Sequence, residues 1–288
     1  MQTLKDLAVL CTSTCTSKDG STEISGITLQ SAAVQPGDMF AALPGLHVHG
    51  AHFVEDACQR GASAVLTDPE GARIVASTGV NNIPLLVVDD IRAVLGRVSA
   101  AIYGNPSYDV PVIGITGTSG KTTTSYLIES AFRTAGHSVG MIGTTGSRIN
   151  GVRVPSSLTT PEAPDLQRLF ATMRDDGVHR IVMEVSSHSL LLGRVGGTRF
   201  RIGAFLNLSQ DHLDFHHTME EYFQAKARLF TKDSGTCCDR AVICIDDSWG
   251  LRMRDIAEAS GCTPVTVSTT GNADYLSLIH ISEPTRRR

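Results

Sequence analysis

No apolar run in this 288-residue sequence reaches the ~18 residues that a membrane-crossing helix requires. The opening stretch MQTLKDLAVLCTSTCTS lacks a basic segment followed by an apolar core and a cleavage site. The expectation is a soluble cytoplasmic protein with no membrane partner. Excess positive charge is missing as well. The formal net charge is −4, which offers no broad basic field to a nucleic acid. Negatively charged substrates would need local positive sites instead. An even cysteine set is also absent. The seven present are Cys11, Cys15, Cys58, Cys237, Cys238, Cys244 and Cys262, and an odd count in a chain of this size argues against a disulfide framework. Cys11 and Cys15 have no second Cys/His pair at zinc-finger spacing, so buried or idle thiols are expected.

What is present is ordinary globular composition, 41% apolar and 19% charged, over a length that suits about two domains. Residues 1–108 read as a first unit. GDMFAAL, ASAVLTD and IPLLVVDD are short strands, GAHFVEDACQRGA has helical spacing, and IRAVLGRVSAAIYGNP is a helix stopped by Gly104 and Pro106. A second unit is expected over 109–275. There VPVIGITG, HSVGMIGT, HRIVMEVS, RIGAFLNL, AVICIDD and TPVTVS alternate with helical stretches. Near-continuous apolar strands between helices argue for a buried, mostly parallel sheet in an α/β fold. Ligands of such sheets sit beyond the strand ends. Residues 276–288, ending in three arginines, break the alternation and are expected to be a non-native tail.

ITGTSGKTTT at 115–124 lies between a strand and a helix. Gly117 and Gly120 allow a tight turn whose amides, backed by a helix N-terminus, can cradle phosphate. Lys121 can reach outer phosphates, and Thr122 can place its hydroxyl on Mg²⁺. The match to the strict phosphate-loop pattern is incomplete, because Ile115 stands where its first glycine would be. The plainer reading is a glycine-rich helix start with an exposed lysine. Further on, VMEVSSHSL puts Glu184 at a strand end, LNLSQDHLDFHH puts Asp211, His212 and Asp214 past another, and EYFQAKARLF puts Lys226 inside a helix. Singly, these read as an ion-pair partner, a polar filler and a solvated lysine. Together with the loop they suggest a Mg²⁺ site with Glu184 as one oxygen ligand. Composition alone does not choose His212.

The series TGTSGKTTT, GTTG (143–146), LTTPEA (158–163), EVSSH (184–188), NLSQDHLDFH (207–216) and YFQAKARLF (222–230) resembles the Mur ligases over about residues 20–250. The resemblance implies a small N-terminal α/β UDP-binding domain followed by a P-loop-type ATPase domain, here truncated. It implies an ATP-dependent ligase of peptidoglycan synthesis. ATP would phosphorylate the carboxylate of a UDP-MurNAc-dipeptide, and the amine of an incoming third amino acid would attack the acyl phosphate. Diaminopimelate is the expected amino acid on family frequency. Phosphorylation makes chemical sense, since it removes the negative charge that repels a nucleophile and supplies a leaving group. By the same likeness Gly117, Thr118, Ser119, Gly120, Lys121, Thr122 and Thr123 hold ATP, with Lys121 catalytic. Thr122, Glu184, His212 and a carbamylated Lys226 serve Mg²⁺. Leu29 and Ser31 meet the uridine side of the substrate, and Thr159, Thr160, Ser186 and Arg194 its sugar-peptide.

Three positions depart from the family pattern: His49 where an aspartate is common, Leu192 where a polar contact occurs, and Cys244 in place of a frequent asparagine. The family also carries a third domain that seats the amino acid. Recognisable sequence stops near Tyr275, so a fragment with little turnover is expected, and a monomer is the default. The alternatives are a folylpolyglutamate synthetase-like ligase, which would lack the unit containing GITLQSAAVQPGDMF, and a non-catalytic nucleotide-binding module.

Overall fold

Two mostly parallel sheets carry the described residues, beside a short antiparallel pairing of Gln2–Thr3 with Glu23–Ile24. The structure, a computed structural model, describes residues 2–12, 14–15, 20–80, 82–154 and 160–276. The expected tail falls almost wholly outside them. In the first unit a five-stranded sheet runs in the order Thr14–Cys15, Leu85–Val87, Ala64–Thr67, Asp38–Ala41, Gly26–Thr28, parallel except for its first pair. The helix Ile91–Ile102 closes this unit. The run GAHFVEDACQRGA forms a 3₁₀ turn, Gly50–Phe53, and only then the helix Val54–Gln59. His49 sits at that N-cap, its Nδ1 accepting from the Ala51 amide at 3.0 Å and its Nε2 3.1 Å from Asp68 Oδ1. An imidazole thus fills the capping role that an aspartate would take. Pro106 does not simply end a helix; it opens the short one Pro106–Asp109, where its missing N–H costs nothing.

The second unit holds a nine-stranded sheet among the described residues. Its order is Val152–Val154, Gly146–Ile149, Val139–Gly143, Arg180–Glu184, Val112–Thr116, Phe200–Phe205, Arg240–Cys244, Thr263–Ser268, Tyr275–Leu276. All pairings from Val139–Gly143 onward are parallel, and the first two strands form an antiparallel hairpin on one edge. Every residue of Val112–Thr116 is buried, as expected for a strand covered on both faces. Phe170, Phe200, Phe205, Phe223 and Phe230 fill the core beneath the sheet. The strand order turns around Val112–Thr116, with later strands added on both of its sides. The loops after it and its two neighbours therefore converge at one crevice. The six cysteines described at side-chain level are free thiols. Cys237 Sγ lies 3.4 Å from Cys262 Sγ, and burial pushes the Cys237 thiol up to about 12.

The helix Ile91–Ile102 also packs along the helix Ala163–Asp175 of the second unit. On the same helix Gly96 lets the loop at Gly196 approach closely: a Cβ there would clash with the carbonyl carbon and oxygen of Gly196. Backbone cannot swing aside as a side-chain tip can. Gly96→Ala is therefore expected to destabilise the protein by about 1–3 kcal/mol through overpacking, less the ~1 kcal/mol that alanine returns as the better helix former. Urea denaturation measures the balance, and an unchanged midpoint would show that helix and loop part freely.

Candidate functional site

The site begins where the strand Val112–Thr116 gives way to the helix Lys121–Thr134. Gly120 turns the chain in the left-handed region, φ 84°, which a residue with a Cβ adopts only under strain. The loop is pinned from the neighbouring strand's end by Asn207. Its Oδ1 accepts from the Thr118 amide at 3.1 Å and the Ser119 amide at 3.0 Å, and its Nδ2 donates to Ser119 O at 3.1 Å. Thr118 Oγ1 receives bonds from the Ser209 amide at 3.0 Å and from the Tyr222 hydroxyl at 3.3 Å. Two amides of the expected cradle are thus engaged. Those left open belong to the first helical turn, from Gly120 onward, where N–H groups have no partner within the helix.

Two lysines converge on the same loop. Lys121 Nζ donates to Gly117 O at 2.9 Å and Thr118 O at 2.8 Å. Burial holds its pKa below the usual lysine value, while Glu184 and Asp211 pull the other way. Lys226 is no solvated helix lysine. It is 1% exposed, its Nζ donates to Gly117 O at 2.9 Å, and it lies 4.3 Å from the centre of the Tyr222 ring. Burial first, then the Lys121 charge, lower its pKa to about 7, against the pull of Asp211.

Glu184 ends the strand Arg180–Glu184 and is 1% exposed. Its carboxylate accepts from Thr122 Oγ1 at 3.0 Å, from the Thr144 amide at 3.1 Å, and from Thr144 Oγ1 at 3.0 and 3.1 Å. Gly143 leaves it room, since a Cβ there would come within van der Waals conflict of Glu184 Oε1. Every one of these donors is neutral. A buried carboxylate without a cation is a costly arrangement, and the oxygen-rich setting fits a hard divalent ion. Between Thr118 and Gly120–Thr123 on one side, and Thr144 and Glu184 on the other, lies a cleft of about 190 Å³.

Other expected residues lie around or apart from this cleft. His212 does not line it. The residue has φ 52° and a 45% exposed side chain, its ring 5.0 Å from that of His188 and its Nε2 3.5 Å from Asp211. Among the described residues, no three His, Cys, Asp or Glu side chains are grouped to hold a metal ion. Thr160 donates its hydroxyl to Glu184 O at 3.2 Å. Ser186 Oγ caps the helix Ser187–Leu191 by accepting from the Ser189 amide at 3.1 Å. Arg194 Nε stands 2.8 Å from Glu162 Oε1, so its guanidinium already faces a carboxylate. Thr159 lies outside the described residues. Leu29 packs against the core of the first unit, and Ser31 opens the 3₁₀ turn Ser31–Ala33 and bonds to Asp56. The structure thus brings together Gly117–Thr123, Glu184, Lys226 and Thr160, and sets Leu29 and Ser31 just past the strand Gly26–Thr28 in the first unit.

Sequence comparison decides what class of protein carries this site. The family described as Mur ligase middle domain matches residues 115–286, more than half of the chain. The chain belongs to the Mur ligase family. A second family description, Mur ligase family, catalytic domain, matches residues 23–103. A UDP-N-acetylmuramoyl-L-alanyl-D-glutamate–2,6-diaminopimelate ligase of Corynebacterium glutamicum is 54% identical over 258 residues, covering 89% of this chain and 49% of that protein. The enzyme of the same name from Streptomyces coelicolor is 53% identical over 256 residues, with 89% and 49% covered. A solved structure of a ligase of that name superposes with a TM-score of 0.77 at 31% identity, over 94% of this chain and 54% of the other. This Mur ligase chain therefore spans about half the length of the relatives it matches. No helix among its described residues is long and apolar enough to cross a membrane.

Local spacing does not mark Asn207 or Thr144, although they lie inside NLSQDHLDFH and GTTG. Each acts on a partner far along the chain, and only the convergence of adjacent strands reveals it.

Proposed function

We propose that the protein to which this chain belongs is an ATP-dependent ligase that joins an amino acid, diaminopimelate by the names of its relatives, to UDP-MurNAc-L-Ala-D-Glu. In this reading residues 1–108 carry the UDP side of the substrate and 109–275 carry ATP. The observation that carries it is the buried Glu184 carboxylate, 3.0 Å from Thr122 Oγ1 at an open helix N-terminus beside Lys121. Thr122 and Glu184 would hold Mg²⁺, which when bound would neutralise phosphate oxygens. The amides from Gly120 onward orient the phosphates, and Lys121 Nζ follows the charge that builds on the transferring group. The substrate carboxylate gains a phosphoryl group, the amine nitrogen then attacks the acyl carbon, and phosphate leaves with the bonding electrons. ADP release traced with labelled ATP, UDP-MurNAc-L-Ala-D-Glu and diaminopimelate tests this. Binding of ATP and the uridine nucleotide with no ADP formed would instead support a nucleotide-binding module.

Lys226 belongs to the same reading as a carbamate. A neutral amine is the form that attacks CO₂, losing a proton as the N–C bond forms, and burial supplies that form near neutral pH. The product is an anion with two oxygens, a better neighbour for Mg²⁺ than an ammonium. In ¹³C-bicarbonate, the protein is expected to show one carbamate carbon resonance that Lys226→Ala abolishes. A spectrum without that resonance, or one in which it survives the substitution, counts against the modification.

A further inference from the structure

Residues 192–198 of the second unit form a loop seated on the first unit's helix Ile91–Ile102. The seat is backbone on backbone. At Gly193, φ 69°, a Cβ would stand 3.1 Å from Arg92 O, and at Gly197, φ 73°, it would clash with Gly96 O. Only glycine allows both the turn and the approach at these two positions. The other side of the loop is tied to its own unit. Val195 is buried in the core of the larger sheet, and Gln167 Nε2, from the helix Ala163–Asp175, donates to Thr198 Oγ1 at 3.1 Å.

Arg194 rises from the middle of this loop, its amide donating to Ser189 O at 3.0 Å. Two cations from different units reach one carboxylate beside it. Glu162 Oε1 lies 2.8 Å from Arg194 Nε. Glu162 Oε2 lies 3.7 Å from Nη1 of Arg92, which also donates to Leu192 O at 3.5 Å. Glu162 is itself held by the backbone as the N-cap residue of the helix Ala163–Asp175. Its contact with Arg194 is closest at the inner nitrogen of the guanidinium, so the outer nitrogens can reach on to a second oxygen-bearing group. An ion pair that only joined the two units would gain little, because Arg92 is 44% exposed and water screens its charge. What the trio does achieve is direction. An arginine has much rotamer freedom to lose when it grips a ligand, and holding Nε in advance removes part of that cost.

Resting on the ligase reading, in which Arg194 meets the sugar-peptide of UDP-MurNAc-L-Ala-D-Glu, we infer that Glu162 and Arg92 are positioning residues for that arginine. Glu162 aims the guanidinium. Arg92 steadies Glu162 and the Leu192 carbonyl from the first unit, so the helix beside the uridine side of the substrate sets the grip of the second unit on its sugar-peptide. Neither residue touches the substrate in this scheme. One carboxylate between two guanidiniums also leaves one positive charge over, the sign that suits an anionic ligand.

Calorimetric titration of the whole chain with UDP and with UDP-MurNAc-L-Ala-D-Glu tests it, because UDP lacks the sugar-peptide. Glu162→Gln is expected to weaken the full substrate at least about tenfold and UDP less than about twofold. Glu162→Asp keeps the charge on a shorter stem and is expected to recover part of the loss. Arg92→Gln is expected to weaken the full substrate about threefold, and to add little to Glu162→Gln in the double variant, since it acts through that carboxylate. Equal losses for UDP and the full substrate would mark a merely structural ion pair and overturn the proposal. Undiminished substrate binding in both single variants, or fully additive losses, would overturn it too. A parent chain that binds UDP but not the longer substrate overturns the ligase reading and the proposal with it, whereas the variants speak against the proposal alone when the parent binds both. Arg92 lies at the surface, so its substitution decides the matter even where Glu162→Gln disturbs folding.

Discussion

Lys121→Met is expected to weaken Mg-ATP binding by at least about a hundredfold while leaving a uridine nucleotide bound as before. The size follows from the chemistry of the loop. Charge-assisted hydrogen bonds to phosphate contribute about 1.5–3 kcal/mol each, and one ammonium serving two phosphate oxygens reaches the stated factor. Lys121 is already held at the mouth of the cradle, its Nζ 2.9 Å from Gly117 O and 2.8 Å from Thr118 O. Those carbonyls lose a donor in the variant, so the loop loosens as well as losing charge. The uridine candidates Leu29 and Ser31 stand past a strand of the first unit's sheet and feel neither effect. Titration calorimetry with each nucleotide separates the outcomes. Undiminished ATP affinity would remove Lys121 from the site, and joint loss of both ligands would mean that they do not occupy separate units.

The sequence made the scaffold of this site readable because strand identity is local. VPVIGITG, HRIVMEVS and RIGAFLNL are apolar runs bounded by breakers, and all three became adjacent parallel strands. Glu184 was placed at a strand end by counting alone. What escaped was whatever depends on the neighbour across the crevice. The pinning of the loop by Asn207 joins residues 88 and 89 apart in the chain, and no spacing rule reaches that far. Burial of Lys226 escaped for a different reason. The helix Met219–Ala227 has polar residues on more than one side, and only the loop packed on it shows which of them is enclosed. The edge hairpin did carry a local signal. Asn150 and Gly151 both adopt positive φ, 52° and 83°, the arrangement that an Asn-Gly pair favours in a two-residue hairpin turn.

His216 carries the second large expectation, an acid-sensitive core. Burial, helped by the charges of His188, of Lys226 in its unmodified ammonium form and of His212, and opposed by Asp214, lowers its pKa to about 4 from the ordinary 6.5. As pH falls below 6.5 the unfolded chain takes up this proton before the folded one does. The stability is therefore complete above that value and is lost progressively toward pH 4. Each pH unit in that window removes up to about 1.4 kcal/mol, so on the order of 2 kcal/mol disappears between pH 7 and pH 5 through this group alone. Urea denaturation at the two pH values should show that loss in the parent chain and a flatter response in His216→Gln, which keeps a hydrogen-bonding partner for Ser187. Carboxylates titrate in both chains, so the difference between the two slopes isolates the imidazole; parallel slopes would remove His216 as the cause. The consequence reaches the phosphate loop by contact. The His216 ring lies 4.9 Å from the Tyr222 ring, and the Tyr222 hydroxyl donates to Thr118 Oγ1. An imidazolium forced into that stack would displace the residue that steadies the cradle, so nucleotide affinity is expected to fall over the same pH range as stability.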